Sequence, residues 1–229
     1  MKIEMVKKPT FQRARSDEQI ELRREEILRT ALQLLRERGP KGVTLISIGE
    51  GVGLSKSNLY RYFESREDVL CEVFLLESKK FVAELKASLG SLPQKDEYSL
   101  CAILFAQACG NHSSFSTLNS QFAINLEENI SVERVVEVKK QSGLLLRDAA
   151  EALHAALPSL GEDGALDAIK MFLYQLAGAW PFMHPAPTMK RAIKEAGRSE
   201  FDTDFRKSFT RVCYIILTGL IEDKKATEV

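Results

Sequence analysis

The sequence lacks any long apolar run, since none of its stretches approaches the roughly 20 apolar residues that span a bilayer. Its N-terminus carries charges without an apolar segment behind them, which is not the pattern of a secretory signal. Cysteine is scarce and has no paired spacing: Cys71, Cys101, Cys109 and Cys213. We therefore expect a soluble cytoplasmic protein whose thiols are buried and reduced, rather than a redox sensor.

Residues that carry catalysis are also few. The three histidines, His112, His154 and His184, lie in separate segments without the spacing of a metal site. No serine lies in a G-x-S-x-G elbow, and no glycine-rich fingerprint follows a strand. The glycines of residues 49–53 only faintly resemble a phosphate-binding loop, because Ser55 and not glycine precedes Lys56. The sequence predicts no enzyme, no metal and no cofactor.

The net charge is zero, yet the charges are unevenly distributed. Residues 1–70 hold 14 Lys or Arg against 11 Asp or Glu. Within the first fifteen residues, five cations face only Glu4. We expect residues 1–16 to form a flexible basic arm, which either follows a phosphate backbone or is merely a solvated tail.

The periodicity is helical throughout, and no alternating strand pattern occurs, so the sequence predicts an all-α protein. Residues 181–187 hold three prolines and are predicted to be non-helical, and residues 90–93 form the clearest break. The predicted helices cover residues 17–37, 44–53, 55–63, 65–88, 98–108, 114–128, 131–157, 165–180 and 202–220.

Residues 45–63 have the pattern of two short helices joined by a tight turn. Ile48 and Val52 share one face of the first helix, and Leu59 and Phe63 repeat the spacing of four in the second. Gly53 between them suits a left-handed turn residue. This is a helix-turn-helix, which lays its second helix in the major groove of DNA.

The second of these helices carries groups suited to phosphate oxygens and base edges. Hydroxyl, amide and cationic side chains are supplied by Ser55, Lys56, Ser57, Asn58, Tyr60, Arg61 and Tyr62.

The order S-K-S-N-L-Y-R-Y-F-E-S-R-E over residues 55–67 resembles the recognition-helix signature of the TetR family of bacterial transcription regulators. The resemblance covers roughly residues 20–75. It implies that Thr44, at the start of the first helix, contacts phosphate, and that Arg66 joins the DNA contacts. It also implies a helix-turn-helix domain over residues 17–66 and a larger ligand-binding and dimerisation domain over residues 67–229.

A single helix-turn-helix reads only one half-site, so DNA binding predicts a homodimer. In the resembled family the last two helices build the dimer, and here both are strongly apolar; core packing explains the apolarity equally well. The candidate interface residues are Phe172, Leu176, Phe209, Val212, Ile216 and Leu220.

The resemblance further implies a pocket in the middle helices whose small-molecule ligand releases DNA. The lining suggests an apolar or aromatic effector, although aromatic residues at helical spacing are more often plain core. The candidate pocket residues are Phe105, His112, Phe115, Phe122, Asn125, Tyr174, Trp180 and His184.

We therefore expect a TetR-type regulator, most simply a repressor, that binds palindromic operator DNA as a dimer. The alternative is an all-α dimeric scaffold, or an unrecognised enzyme, whose helix-turn-helix does not bind DNA.

Overall fold

The structure is a computed structural model that describes residues 10–122, 130–198 and 204–227, with side chains from residue 18 to residue 226 of those ranges. The described residues contain helices and no strand, which confirms the all-α prediction. The helices are α1 (Thr10–Gly42), α2 (Leu45–Val52), α3 (Lys56–Leu59), α4 (Arg66–Gly90), α5 (Tyr98–Asn111), α6 (Ser113–Gln121), α7 (Val132–Ala156), α8 (Gly161–Met183), α9 (Pro187–Glu195) and α10 (Phe205–Thr227).

None of the helices in the described ranges is both long and apolar enough to cross a membrane. The chain divides into two compact units, the first ending at Val69 and the second beginning at Leu70.

The first unit is built around the inner face of α1. Ile27, Ala31 and Leu34 point inward at intervals of three and four residues and are almost completely buried. They pack with the buried side chains of the two short helices, among them Ile48 and Leu59. The result is a small three-helix core that holds α2 and α3.

The start of α1 differs from the prediction. The helix begins at Thr10 and not at Asp17, so the backbone of residues 10–16 of the expected flexible arm is helical. Residues 1–9 of that arm lie outside the described residues. At the other end, Gly39 has φ of 68°, which interrupts the helix where the Arg-Gly-Pro sequence predicts its end.

The core of the second unit is a cluster of phenylalanine rings contributed by α5, α8 and α10. The ring centre of Phe105 lies 4.7 Å from that of Phe172 and 6.5 Å from that of Phe209. All three side chains are almost completely inaccessible to solvent. Helix α5 therefore packs against α10 of its own chain, and its Phe105 ring also contacts Phe172 of α8.

The proline-rich stretch is more helical than predicted. Helix α8 continues through Pro181 to Met183, and a further helix, α9, begins at Pro187. Proline at position 181 removes one hydrogen bond from the last turn of a helix of 23 residues, and Pro187 occupies a first-turn position that needs no donor. The prediction of a non-helical segment over residues 181–187 is therefore wrong for most of it.

Candidate nucleic-acid interface and ligand cavity

The two helices of the helix-turn-helix are fixed by their caps. Thr44 begins α2 with a capping box, in which its hydroxyl accepts from the Ser47 backbone N–H at 3.0 Å and the Ser47 hydroxyl accepts from the Thr44 N–H at 2.9 Å. Gly53 ends α2 in the left-handed region with φ of 69°. Ser55 then caps α3 by accepting from the Asn58 N–H at 3.3 Å.

Gly49 allows the turn to lie close against α2. A Cβ atom at this position would lie 2.5 Å from the backbone oxygen of Leu54, nearer than real contacts allow. The Leu54 N–H donates to the Gly49 carbonyl at 2.9 Å, which holds the approach in place. A side chain at residue 49 would therefore push the turn away from α2.

Helix α3 is shorter than predicted. It spans only Lys56–Leu59, and the chain continues to Phe63 in tighter turns, since the Arg61 N–H donates to Asn58 and the Tyr62 N–H to Leu59. Leu59 and Phe63 are nonetheless both buried, at 1% and 2% exposure. The predicted inner face is therefore present, although the α-helix proper ends before Tyr60.

Most of the predicted DNA-contacting side chains are exposed on the outer side of this segment. Tyr60 has an exposed fraction of 51%, and the Lys56 ammonium lies 5.9 Å from the centre of its ring. Tyr62 is half-buried. Among the other predicted DNA contacts, those also exposed are Thr44 at the start of α2 and, on the α3 segment, Ser55, Ser57, Asn58 and Arg61.

Arg66 is directed into its own unit, and its contact with DNA stays a prediction. Its Nε donates to the Val43 carbonyl at 2.5 Å and its Nη2 to the Pro40 carbonyl at 2.6 Å. Its Nη1 bonds Glu67 at 2.8 Å. With three of its nitrogens engaged by the protein, the guanidinium joins the start of α4 to the link between α1 and α2.

Arg24 is a residue of this region that the sequence reasoning missed. Its guanidinium bonds the Tyr62 carbonyl and covers the ring of Phe63. Nothing in the local sequence marks it, because an arginine on the polar side of a long helix looks like a solvated charge. Only its position opposite the end of the α3 segment reveals the contact.

The second unit contains a cavity of about 60 Å³ whose lining belongs to α4, α6, α7 and α8. Of the candidate pocket residues that the structure describes, Phe115 alone lines this cavity. The sequence reasoning missed the other lining residues, which include Phe74, Ser78, Phe81, Asn119, Ser142 and Leu173.

The remaining pocket candidates occupy three different environments. Phe105 belongs to the phenylalanine core, and Phe122 is buried with its ring centre 4.9 Å from that of Phe74. Tyr174 is 70% exposed on α8 and does not line this cavity, so its role in a pocket stays a prediction. Asn125 lies outside the described residues.

The polar candidates are bonded to protein groups. His112 Nε2 lies 2.8 Å from a carboxylate oxygen of Glu84. Trp180 donates from Nε1 to the Thr117 hydroxyl at 3.0 Å, and its ring stacks on His184 with 3.7 Å between centres. His112 thus links the start of α6 to α4, and Trp180 links α8 to α6; none of these residues lines the cavity.

Three of the six predicted interface residues are core residues of a single subunit. Phe172, Leu176 and Phe209 are fully buried within one chain, and their role as dimer contacts stays a prediction. Val212, Ile216 and Leu220 are partly accessible. The exposed apolar side chains of α8 and α10 are instead Met171, Tyr174, Phe182, Tyr214 and Ile215.

The sequence matches two family models that together cover most of the chain. Residues 27–73 match the model for bacterial regulatory proteins of the tetR family, and residues 76–224 match the tetracyclin repressor-like C-terminal domain. An uncharacterized HTH-type transcriptional regulator of Mycobacterium tuberculosis is 29% identical over 83 residues. That match covers 36% of this chain and only 41% of the relative.

Solved structures of regulators share the fold. A TetR/AcrR-family transcriptional regulator of Thermobifida fusca is 20% identical, with a TM-score of 0.54, over 86% of this chain and 97% of that chain. The fatty acid degradation regulator FadR of Bacillus halodurans is 16% identical, with a TM-score of 0.53, over 86% and 95% of the two chains. At these identities the similarity concerns the fold alone.

Proposed function

The chain belongs to the TetR family of bacterial transcription regulators, as its sequence signature predicts, and we propose that it binds palindromic operator DNA as a homodimer and represses transcription until a small molecule releases it. Regulators of this family bind DNA and act as dimers. A regulator acts where the chromosome is, so we expect the chain in the cytoplasm.

The observation that carries the proposal is the composition of the exposed side of the α3 segment. Lys56 and Tyr60 lie next to each other there, and Arg61 is exposed beside them. Cationic and hydroxyl groups of this kind bind phosphate oxygens and the acceptor edges of bases. The buried Leu59 and Phe63 hold this side outward, so the segment is directed by its own core contacts.

We infer the homodimer from the short stretch of DNA that one helix-turn-helix can contact. One α3 segment spans a few base pairs, whereas specific operators need two half-sites about one helical turn apart. The exposed apolar residues of α8 and α10, such as Met171, Tyr214 and Ile215, are the surface that a second copy would bury. Val212, Ile216 and Leu220 flank that surface.

Release by an effector requires two conformations, each bound better by one ligand. The cavity is the candidate effector site, and α4 supplies part of its wall through Phe74, Ser78 and Phe81. The same helix begins at Arg66, which bonds the link between α1 and α2. A ligand that displaces α4 would therefore act on a helix whose first residues belong to the first unit.

Selection of bound sequences from a random duplex pool tests the proposal. We expect enrichment of a palindrome, and an affinity for it that falls steeply as salt is raised because phosphate contacts release counterions. A pool without enrichment, together with an affinity that salt does not change, would contradict it and favour a scaffold or an enzyme.

A further inference from the structure

Helices α8 and α10 have an apolar face that stays accessible to solvent within one chain. Phe182 near the end of α8 is 81% exposed, and Tyr174 is largely exposed on the same helix. Tyr174, Gly178 and Phe182 follow one another at intervals of four residues, so they lie on one side of α8. Ile215 and Gly219 share one side of α10 in the same way. Exposed apolar surface of this kind marks an interaction site.

The two helices run antiparallel, which fixes the order of residues along this face. Trp180 near the end of α8 contacts Phe205 at the start of α10, with 4.8 Å between ring centres. At the other end, Lys224 of α10 donates to the carbonyl of Ser159, just before α8 begins, at 3.0 Å. Counted inward from these two contacts, the middle of the face lies near Met171.

Gly178 and Gly219 lie on opposite sides of this middle, each inside its helix. A Cβ atom at either position would have no described atom of the same chain within 4 Å. Glycine inside a helix is less stable than alanine, so packing within one chain explains neither glycine. Glycine does allow a second backbone to approach closely. A two-fold axis near Met171 would bring Gly178 of one copy opposite Gly219 of the other.

Helix α9 follows the exposed end of α8 and carries a surplus of cations. None of its residues is buried, and Met189 is 55% exposed. Its one acidic residue, Glu195, lies 3.5 Å from Arg191. The cations of residues 187–198 are Lys190, Arg191, Lys194 and Arg198. A basic helix with an exposed apolar side fits an acidic surface that is itself partly apolar.

The opposite end of the face is acidic. Its carboxylates, in the first turn of α8 and near the end of α10, are Glu162, Asp163, Glu222 and Asp223. The cations there are Lys224 and Lys225, and the latter pairs with Glu222 at 2.7 Å. A second copy turned end for end places each basic helix beside an acidic end. A nucleic acid or an anionic membrane would be repelled by the acidic end, so the charges favour a second copy.

We propose that two copies pair along α8 and α10 in opposite directions, so that α9 of each copy docks on the acidic end of the partner. Gly178 then meets Gly219 of the partner subunit, and Met171 and Ile215 lie near the two-fold axis. The same contact is made twice, as in any isologous dimer. This inference rests on the proposed function, because it names the surface and the register of the proposed homodimer.

Two charge-reversed forms of the full-length protein test the register. The first carries Lys190→Glu with Arg191→Glu, and the second carries Glu162→Lys with Asp163→Lys. Each alone should weaken the homodimer at least about fivefold at low salt, because two symmetric contacts become repulsive. An equimolar mixture should regain the dimer, since both contacts of the mixed pair join opposite charges. Sedimentation velocity of each form and of the mixture measures this.

Two matched controls separate recognition from folding. Lys79→Glu with Lys86→Glu reverses two exposed cations of α4 and should leave the dimer unchanged. Gly178→Gln adds a helix-favouring side chain where the partner backbone should lie, and it should weaken the dimer. Gly143→Gln makes the same change at an open position of α7 and should not. Recovery in the mixture also shows that the charge-reversed chains are folded.

A mixture that stays monomeric, or an α9-reversed form that dimerises as tightly as the unmodified protein, would overturn the proposal. So would an unchanged dimer that has lost binding to vesicles of anionic phospholipid, since α9 would then face a membrane. If the unmodified protein is itself monomeric at micromolar concentration, the proposed homodimer fails as well. A dimer that ignores every one of these variants refutes only this register, and the DNA selection is unaffected.

Discussion

The guanidinium of Arg24 donates a hydrogen bond of 2.6 Å to the carbonyl of Tyr62, and its central carbon lies 4.4 Å from the centre of the Phe63 ring. The Arg24 side chain of α1 thus bonds a backbone carbonyl near the end of the α3 segment and covers the buried ring of Phe63. The geometry of the DNA-reading segment depends on this contact as well as on its own helical turns.

Replacing Arg24 by Met should loosen the α3 segment while leaving the apolar stem in place. Loss of the hydrogen bond and the cation–π contact is expected to destabilise the first unit by about 1–2 kcal/mol and to weaken operator binding several-fold. Urea denaturation and fluorescence anisotropy with labelled operator measure the two effects. Arg29→Met, at an exposed position of the same helix, removes the same charge and should change stability little.

Lys56 and Tyr60 are predicted to contact DNA directly. Lys56→Ala should weaken binding by about 1–3 kcal/mol if the ammonium meets a base, and should reduce the salt dependence by about one ion if it meets phosphate. Binding isotherms at several salt concentrations distinguish the two. Lys79→Ala, an exposed lysine of the second unit, is the control. Full affinity in both Lys56→Ala and Tyr60→Ala would refute the assignment.

Gly49 and Gly51 lie in the same short helix but should respond differently to alanine. A Cβ at residue 49 meets the fixed backbone oxygen of Leu54 at 2.5 Å, so Gly49→Ala should cost on the order of 1–3 kcal/mol. A Cβ at residue 51 meets the γ-methyl of Thr30 at 2.5 Å. The double variant Gly51→Ala with Thr30→Ser removes that methyl and should gain up to about 1 kcal/mol of helix propensity. Thermal denaturation of the two variants and of the unmodified protein measures these differences in stability.

Ile215 is 55% exposed on α10 and belongs to the surface proposed for the second copy. Ile215→Arg should dissociate the dimer, because two arginines would face each other near the two-fold axis. Leu144→Arg on α7, where the side chain is 64% exposed, is the matched control and should leave the dimer intact. Sedimentation velocity at micromolar concentration measures both. A dimeric Ile215→Arg protein would place the interface elsewhere.

The thiol of Cys101 predicts a loss of stability in alkaline solution. Burial, with Asp96 and Glu97 nearby, raises its pKa from 9.0 to about 11. Below pH 9 the thiol is protonated in both folded and unfolded chains, so it adds no pH dependence there. Between pH 9 and 11 the unfolded chain loses the proton first, and stability falls as pH rises. Thermal melts across this range should show a smaller decrease in Cys101→Ala than in the unmodified protein.

The sequence was most informative where local chemistry fixes the structure. The caps at Thr44 and Ser55 and the left-handed Gly53 are visible as residue types at fixed offsets, so the helix-turn-helix could be predicted before any coordinates. The family resemblance is confirmed by both family models, whereas the individual DNA contacts stay predictions.

The sequence was least informative about what covers an apolar helix face. Phe172 and Phe209 have the spacing of interface residues, but their partner is Phe105 of the same chain. Periodicity identifies a buried face and does not reveal whether the covering helix belongs to one copy or to another. The same ambiguity applies to Tyr174, which is 70% exposed, and it concealed Asn119, whose amide nitrogen donates to a carbonyl more than 50 positions away.

Trp180 is the only tryptophan of the chain. Its indole is stacked on one imidazole and tethered to a hydroxyl of α6, so its emission responds to any displacement between α6 and α8. An effector that moves α6 and α8 apart should therefore change the intrinsic fluorescence of Trp180, and no attached dye is needed to detect it.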